Sequence, residues 1–270
     1  MDMPLGVKRG TVRLTGNEIE YFSFGSGDRA FVMLPGLSVK SVTASAESIA
    51  SMYRRFSRDF TVWCFERSKF LFENITIDDL AEYTAQAMLA LGLKNACVFG
   101  ASMGGMTAQL IAIRHPELVD RLLLASTCAR LNDTARAVMG RWVECAEAGD
   151  VDAFCDSFID VLYGKEFAQK FGDFIRAAHK NISKEEFKRF VLLGKACASL
   201  NAYDFLDRLR CRTLVIGAQN DRVLTAQASV EIAEKLGCGL YLYGSEYGHC
   251  VFDEAPDYKD RIYRFFSEQE

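Results

Sequence analysis

The pentapeptide Gly-Ala-Ser-Met-Gly at residues 100–104 is the feature that most constrains the fold of this chain. A short apolar run, residues 95–99, precedes it, and a run of Thr, Ala, Gln, Leu and Ile follows at residues 106–114. This context predicts a buried strand, a sharp turn that carries Ser102, and a helix. A serine on such a turn needs a strained backbone, and the two flanking glycines remove side chains that would collide there. The alternative is a tight glycine-rich turn with an incidental serine.

Strand and helix patterns alternate near both ends of the chain. Two strands joined by a turn are predicted first, at residues 10–14 and 18–24, and later apolar runs predict strands buried on both faces. Those runs are residues 30–34, 60–65, 95–99, 121–125, 213–217 and 240–243. Strands that alternate with helices predict an α/β fold with a mostly parallel, doubly wound sheet.

The middle of the chain breaks this alternation. Residues 131–206 show no convincing strand pattern and instead contain three or four helical segments. We therefore predict three parts: residues 1–130 form the first part of the core, residues 131–206 a helical cap, and residues 207–270 the second part of the core. The cap is expected over the C-terminal edge of the sheet, where such sheets bind ligands.

Composition and charge argue against two classes of partner. The chain has 270 residues and a net charge of −4, which argues against nucleic acid and anionic membrane, because both favour a basic surface. No apolar stretch approaches the ~18 residues that cross a bilayer. The first six residues do not resemble a signal peptide, and the expected location is the cytoplasm.

Cysteine and histidine usage indicates a reducing compartment and no metal site. The nine cysteines are odd in number, scattered, and contain no Cys-x-x-Cys pair, which indicates reduced thiols packed as small hydrophobic residues. There are three histidines and no cluster at metal-ligand spacing. We expect no metal and no cofactor.

A serine nucleophile needs a base, and the three histidines can be compared directly. His115 precedes a proline at a predicted helix end, and His179 lies beside basic residues in the helical insert. His249 follows the last strand and precedes the final helix, which places it at the same sheet edge as Ser102. His249 is the predicted base, and the alternative is a packed loop histidine.

The acid that orients the histidine is expected between the serine and the histidine in chain order. Asp221 follows the predicted strand 213–217 and therefore also emerges at the C-terminal edge. Asp204, Asp207 and Asp253 do not directly follow a strand. Asp221 is the predicted acid, and the alternative is a turn or helix-capping aspartate.

A tetrahedral intermediate needs hydrogen-bond donors that are already in place. The backbone N–H of Met103, directly after the serine and at the start of a helix, is the first predicted donor. The second is the backbone N–H of Leu37, in the loop that follows the strand ending at Leu34. Gly36 gives that loop room to turn, although it is equally explained as an ordinary turn glycine.

These motifs, in this order, resemble those of the α/β-hydrolase superfamily over nearly the whole chain. The chain looks most like the bacterial cap-bearing group of carboxylesterases, lactonases, thioesterase-like enzymes and C–C bond hydrolases. The resemblance rests on Leu34-Pro35-Gly36-Leu37, Gly100-Ala101-Ser102-Met103-Gly104-Gly105, Leu122-Leu123-Leu124-Ala125-Ser126, Leu214-Val215-Ile216-Gly217 through Asp221, and Gly248-His249 with Glu254-Ala255-Pro256.

The chain departs from the family pattern at two places. The family usually has a histidine before the oxyanion glycine, and this chain has Pro35, so the bracing of the loop is expected to differ. The family often carries Asp-x-Arg-Gly after the next strand, and residues 66–69 here are Glu-Arg-Ser-Lys. A serine nucleophile disfavours the dehalogenase and epoxide-hydrolase branches, whose chemistry begins from a carboxylate.

The resemblance implies a serine hydrolase that cleaves an ester, or a thioester or lactone, of a small hydrophobic acid through an acyl-enzyme. Acyl transfer to another acceptor and C–C bond hydrolysis use the same residues and stay open, as does a ligand-binding protein on a hydrolase scaffold. Most aromatic side chains of the insert are expected in its core, and a few are expected to face the cleft. These residues are Trp142, Phe154, Phe158, Tyr163, Phe167, Phe171, Phe174, Phe187 and Phe190.

Overall fold

The computed structural model describes residues 5–268, and within that range eight strands form one sheet. The first four residues, on which part of the expectation about a signal peptide depends, lie outside the described residues. The strands are β1 (Lys8–Leu14), β2 (Asn17–Gly25), β3 (Arg29–Leu34), β4 (Phe60–Phe65), β5 (Ala96–Ala101), β6 (Val119–Ala125), β7 (Arg212–Ala218) and β8 (Gly239–Tyr243).

The spatial order of the strands is β1-β2-β4-β3-β5-β6-β7-β8. β1 pairs antiparallel with β2, β2 pairs antiparallel with β4, and all other neighbours are parallel. The predicted α/β-hydrolase fold, with a mostly parallel sheet, is confirmed. β5 lies at the centre, between β3 and β6, so the residue that follows it emerges in the middle of the C-terminal edge.

Ten α-helices lie within residues 5–268. Thr76 caps the second of them: Thr76 and Asp79 form a reciprocal capping box at its start. The helices are α1 (Ala46–Met52), α2 (Ile77–Ala90), α3 (Met103–Arg114), α4 (Asp133–Ala148), α5 (Val151–Leu162), α6 (Lys165–His179), α7 (Lys184–Cys197), α8 (Ala226–Leu236), α9 (Val251–Glu254) and α10 (Tyr258–Ser267).

Helices α4 to α7 occupy the interval between β6 and β7, where the sequence shows no strand pattern. Local capping explains their bounds. Asn132 caps α4, Gly149 ends it in a left-handed conformation at φ 68°, Asp150 caps α5, and Ser183 forms a capping box on α7. The division of the chain into a core and a cap at residues 131 and 206 stays a prediction.

Two hydrophobic clusters lie on opposite faces of the sheet. Val98 of β5 belongs to one cluster, whereas its neighbours Cys97 and Phe99 belong to the other, as the alternation of a strand requires. The first cluster continues into the helical insert through Trp142 and Phe190. Helices α4 to α7 therefore share a continuous apolar core with one face of the sheet.

Three further observations concern the expectations from composition. All nine cysteines are unpaired, and seven of them are buried. Within residues 5–268, no group of three or more His, Cys, Asp or Glu side chains is arranged to hold a metal ion. No helix in the same range is long and apolar enough to cross a membrane.

Candidate active site

Ser102 lies on the turn between β5 and α3 and has a strained backbone, with φ 52° and ψ −119°. Several hydrogen bonds hold this conformation. The Ser102 amide donates to the Ala125 carbonyl of β6 at 2.9 Å, and the Ser102 carbonyl accepts from Thr127 Oγ1 at 2.8 Å. The strain is therefore supported by the next strand and the loop that follows it.

The two glycines of the pentapeptide are required by close backbone contacts. A Cβ at Gly100 would lie 2.5 Å from the carbonyl oxygen of Gly104, across the turn. A Cβ at Gly104 would overlap the carbonyl oxygen of Leu34, at the end of β3. The collision at Gly100 is the one expected from the sequence, whereas the collision at Gly104 is with the neighbouring strand. α3 can therefore pack tightly against β3 directly behind Ser102.

The loop after β3 passes directly over the serine. A Cβ at Gly36 would lie 3.3 Å from Ser102 Cβ and 3.9 Å from Ser102 Oγ. The next residue, Leu37, is half-buried, and its Cδ2 would lie 3.9 Å from a Cβ at Gly194 of α7. Met103 is buried and is the first residue of α3. Leu37 thus follows the residue that lies against Ser102, and Met103 follows Ser102 itself; the role of their amides as oxyanion donors stays a prediction.

Asp221 and His249 are brought together from two adjacent strands. Asp221 follows β7 and His249 follows β8, and His249 Nδ1 lies 2.9 Å from Asp221 Oδ2. Each side chain is only 2% exposed. The second carboxylate oxygen of Asp221 accepts the amides of Val223 and Leu224 at 2.8 and 2.9 Å. Asp221 thus organises its own turn and contacts His249 with the remaining oxygen.

The environment of Asp221 favours its ionised form. Burial alone would raise the pKa of this carboxyl, but the charge and hydrogen bond of His249, together with the two backbone amides, hold its pKa below the usual 3.8. A carboxylate at this position holds the imidazole with its Nδ1 proton toward Asp221. Nε2 is then the unprotonated nitrogen, which can accept a proton.

The structure does not join Ser102 to this pair by a hydrogen bond. Within the described residues 5–268, His249 Nδ1 bonds to Asp221 Oδ2, and Ser102 Oγ makes no side-chain hydrogen bond. Ser102 is 8% exposed and His249 2% exposed, so both residues are largely buried. Catalytic hydrogen bonds are often long in the absence of substrate, so this geometry is compatible with a base that engages the serine later.

The other two histidines lie in different surroundings. His115, at the end of α3, contacts Glu82 of α2 with its Nε2 at 3.0 Å. His179, at the end of α6, contacts the carbonyl oxygen of Ile175 at 2.8 Å. Neither shares the buried carboxylate contact that His249 makes.

Glu254, part of the motif shared with the family, braces the loop that carries His249. Its two oxygens accept the Gly248 amide at 2.9 Å and the Gly164 amide at 2.8 Å. The Cys250 amide also donates to the Leu162 carbonyl at 2.8 Å. The residues on both sides of His249 are therefore bonded to the turn between α5 and α6 or to Glu254. A glutamate five residues after a histidine was the only sequence signal.

Glu66 and Arg67 are a second feature that the sequence did not identify as part of a site. Residues 66–69 are where the chain departs from the Asp-x-Arg-Gly pattern of the family. The side chains of Glu66 and Arg67 are each 7% exposed, and Arg67 Nε lies 3.1 Å from Glu66 Oε1. Two adjacent charged residues after a strand usually indicate a solvated loop, and here they are buried together.

Comparison with known proteins gives one family and several relatives. The family described as "alpha/beta hydrolase fold" matches residues 30–256. Among curated proteins, the chain is similar to the putative carbamate hydrolase RutD of Rhizobium rhizogenes, with 27% identity over 193 residues. That match covers 70% of this chain and 71% of the relative.

Solved structures extend the likeness over nearly the whole chain. The alpha/beta hydrolase enzyme MGS-M2, from a Medee basin deep-sea metagenome library, superposes with a TM-score of 0.87 at 19% identity and covers 97% of this chain and 98% of its own. The enol-lactonase from Burkholderia xenovorans superposes with a TM-score of 0.80 at 20% identity and covers 96% and 100%. At these identities the likeness shows the fold.

Proposed function

The chain belongs to the α/β-hydrolase family, and we propose that it is a serine hydrolase that cleaves an ester of a small hydrophobic acid. Thioesters and lactones are the other substrates in the proposal. Ser102 is the proposed nucleophile, His249 the general base and Asp221 the residue that orients the base. The proposed partner is a small, hydrophobic, ester-like substrate.

The observation that carries this proposal is the buried contact between His249 and Asp221 at the same sheet edge as the strained Ser102. A histidine and an aspartate that are both 2% exposed need a reason to be kept polar inside a protein. A pair that orients Nε2 toward a serine supplies that reason.

The proposed reaction has two steps, acylation of Ser102 and hydrolysis of the acyl-enzyme. Ser102 Oγ attacks the acyl carbon while its proton passes to His249 Nε2, and the tetrahedral intermediate then collapses to an acyl-enzyme. His249 returns the proton to the departing alkoxide, which leaves as the alcohol. A water then attacks the acyl-enzyme, gives its proton to His249, and releases the acid as Ser102 Oγ takes that proton back.

The proposed oxyanion donors are the amides of Leu37 and Met103. Their support is positional: Gly36 lies close against Ser102, and Met103 begins α3, whose N-terminal amides carry partial positive charge. Fixed amides stabilise the negative oxygen because they need no reorganisation when the charge develops.

We propose that the helical segment α4 to α7 forms the acyl pocket. Its aromatic side chains Tyr163 and Phe167 stack with ring centroids 5.0 Å apart, and Tyr163 belongs to the turn that contacts the His249 loop. Apolar walls there would exclude water from the acyl group during attack.

Carbamate hydrolysis is a second candidate. It is favoured by the likeness to the putative carbamate hydrolase, which spans 70% of this chain. A carbamate presents the same carbonyl to the same nucleophile, but its nitrogen makes the carbonyl less electrophilic. Relative rates therefore separate the two candidates.

The experiment is a comparison of purified wild-type protein and Ser102→Ala on p-nitrophenyl esters of graded acyl length and on a matched p-nitrophenyl carbamate. The proposal expects faster turnover of at least one ester than of the carbamate, and loss of turnover in the variant. Faster turnover of the carbamate would favour the second candidate. Equal turnover by wild type and variant would contradict both.

A further inference from the structure

A buried ion cluster connects the loop after β4 to the loop after β3. Arg67, in the first of these loops, donates from Nη2 to Ser38 Oγ at 2.7 Å and contacts the Ser38 carbonyl oxygen at 3.4 Å. Ser38 directly follows Leu37, whose amide is the second proposed oxyanion donor. Arg67 is therefore attached to the chain one residue from that donor.

Glu66 holds the other end of the same loop. Its Oε2 accepts Ser41 Oγ and the Val42 amide, each at 2.7 Å. Burial alone would raise the pKa of Glu66, but the charge of Arg67 and the hydrogen bond from Ser41 hold it below its usual value. An ionised Glu66 and Arg67 thus hold the segment between Ser38 and Val42 from beneath.

Helix α7 completes the cluster from the side of the insert. Arg189 donates from Nη2 to the Arg67 carbonyl at 3.0 Å and from Nη1 to the Lys69 carbonyl at 3.2 Å. Its guanidinium also lies 3.8 Å from Glu66 Oε1. The backbone of the β4 loop is therefore fixed where the Arg67 side chain leaves it.

Arg67 also approaches the first proposed donor. It lines a cavity of about 20 Å³ whose wall includes Met103 and Gly104 at the start of α3. Within residues 5–268, Arg67 Nε and Nη1 are buried and make no hydrogen bond, although Nε lies 3.1 Å from Glu66 Oε1 in an ion pair. Buried charged pairs are weak sources of stability, because desolvation offsets their attraction. A purely stabilising role does not explain why this guanidinium bonds the residue next to Leu37.

We propose that Arg67 is a positioning residue that fixes the Leu37 amide over Ser102 through its hydrogen bonds to Ser38. This inference rests on the proposed function. It also explains how the loop is braced when Pro35 replaces the usual family histidine: the brace comes from the loop after the adjacent strand β4.

The experiment compares Arg67→Met and Ser38→Ala with wild type. We expect kcat per titrated active site on p-nitrophenyl acetate to fall roughly 10- to 100-fold in Arg67→Met, with KM changed less than about threefold. Ser38→Ala should lower kcat in the same direction and by less, because the Ser38 carbonyl contact remains. Amide hydrogen exchange at residues 36–42 should become faster in Arg67→Met.

Two variants keep the result interpretable. Lys69→Met is the matched control, because Lys69 lies in the same loop but is exposed and pairs with Glu18 at 2.7 Å. If Arg67→Met does not fold because Glu66 is left unpaired, the double variant Glu66→Gln with Arg67→Met removes both charges together.

Different results would overturn the role of Arg67 and the proposed function. An active wild type with unchanged kcat per active site and unchanged exchange at residues 36–42 in Arg67→Met would overturn the inference and leave the proposed function standing. A wild type that turns over no substrate would overturn the proposed function, and the exchange measurement, which needs no substrate, would still decide whether Arg67 holds the loop.

Discussion

His249 Nδ1 lies 2.9 Å from Asp221 Oδ2, and both side chains are almost completely buried. The two residues belong to loops that follow adjacent parallel strands, β7 and β8. Their contact therefore follows from the sheet itself, because the C-terminal ends of parallel neighbours open at one edge.

Asp221→Asn should lower kcat by about 10⁴-fold, because an amide in place of the carboxylate favours the wrong tautomer of His249. The loop should survive, since an asparagine oxygen can still accept the Val223 and Leu224 amides. The measurement is kcat on a p-nitrophenyl ester, with circular dichroism as the control for folding. A variant that kept a tenth of wild-type turnover would remove Asp221 from the proposed mechanism.

The stability that Asp221 contributes should depend on pH in one direction. Its pKa in the folded protein lies below the usual 3.8, so its contribution is present above that value and is lost as the pH falls through the folded pKa. The difference in unfolding free energy between wild type and Asp221→Asn should therefore shrink as the pH falls below about 4. Urea unfolding between about pH 5 and pH 3 measures it, and a difference that did not shrink below about pH 4 would contradict the assigned charge state.

Gly104→Ala should destabilise the protein by at least about 2 kcal/mol, because its Cβ would overlap the Leu34 carbonyl oxygen. Gly140→Ala is the matched control: Gly140 lies exposed within α4, and a Cβ there meets nothing within 4 Å. That variant should gain up to about 1 kcal/mol from helix propensity. Urea denaturation of both variants tests the pair, and equal stabilities would show that β3 and α3 are not as closely packed as described.

Phe167→Ala should change the ratio of rates on acetyl and benzoyl p-nitrophenyl esters, because Phe167 stacks on Tyr163 beside the His249 loop. Phe174→Ala is the control, since Phe174 is 76% exposed on α6, the same helix as Phe167. A rate ratio that stayed fixed in Phe167→Ala, with only the melting temperature lowered, would make the helical segment structural rather than selective.

Much of the fold was predictable because its signals are local. The pentapeptide around Ser102 lies between an apolar strand and a helix, and Asp221 and His249 each follow a strand, so their common edge could be inferred from chain order. Such signals need only periodicity and turn chemistry.

The contacts that were not predicted span long distances in the sequence. Arg189 reaches the Arg67 carbonyl across 122 positions, and Glu254 bonds Gly164 across 90. A charged residue in a predicted loop is expected to be solvated. No local sequence pattern shows which helix will bury it in the folded protein. The bracing of the Ser102 region therefore became visible only with the tertiary contacts of α5, α6 and α7.

The most direct test of the central proposal is labelling of the purified protein with a fluorophosphonate probe, followed by mass spectrometry of its peptides. The account predicts one modified residue, Ser102, and no labelling of Ser102→Ala. It also predicts much slower labelling of His249→Ala, because the base would be missing. A probe attached to a different residue, or a folded wild-type protein that is not labelled, would contradict the assignment of Ser102 as the nucleophile.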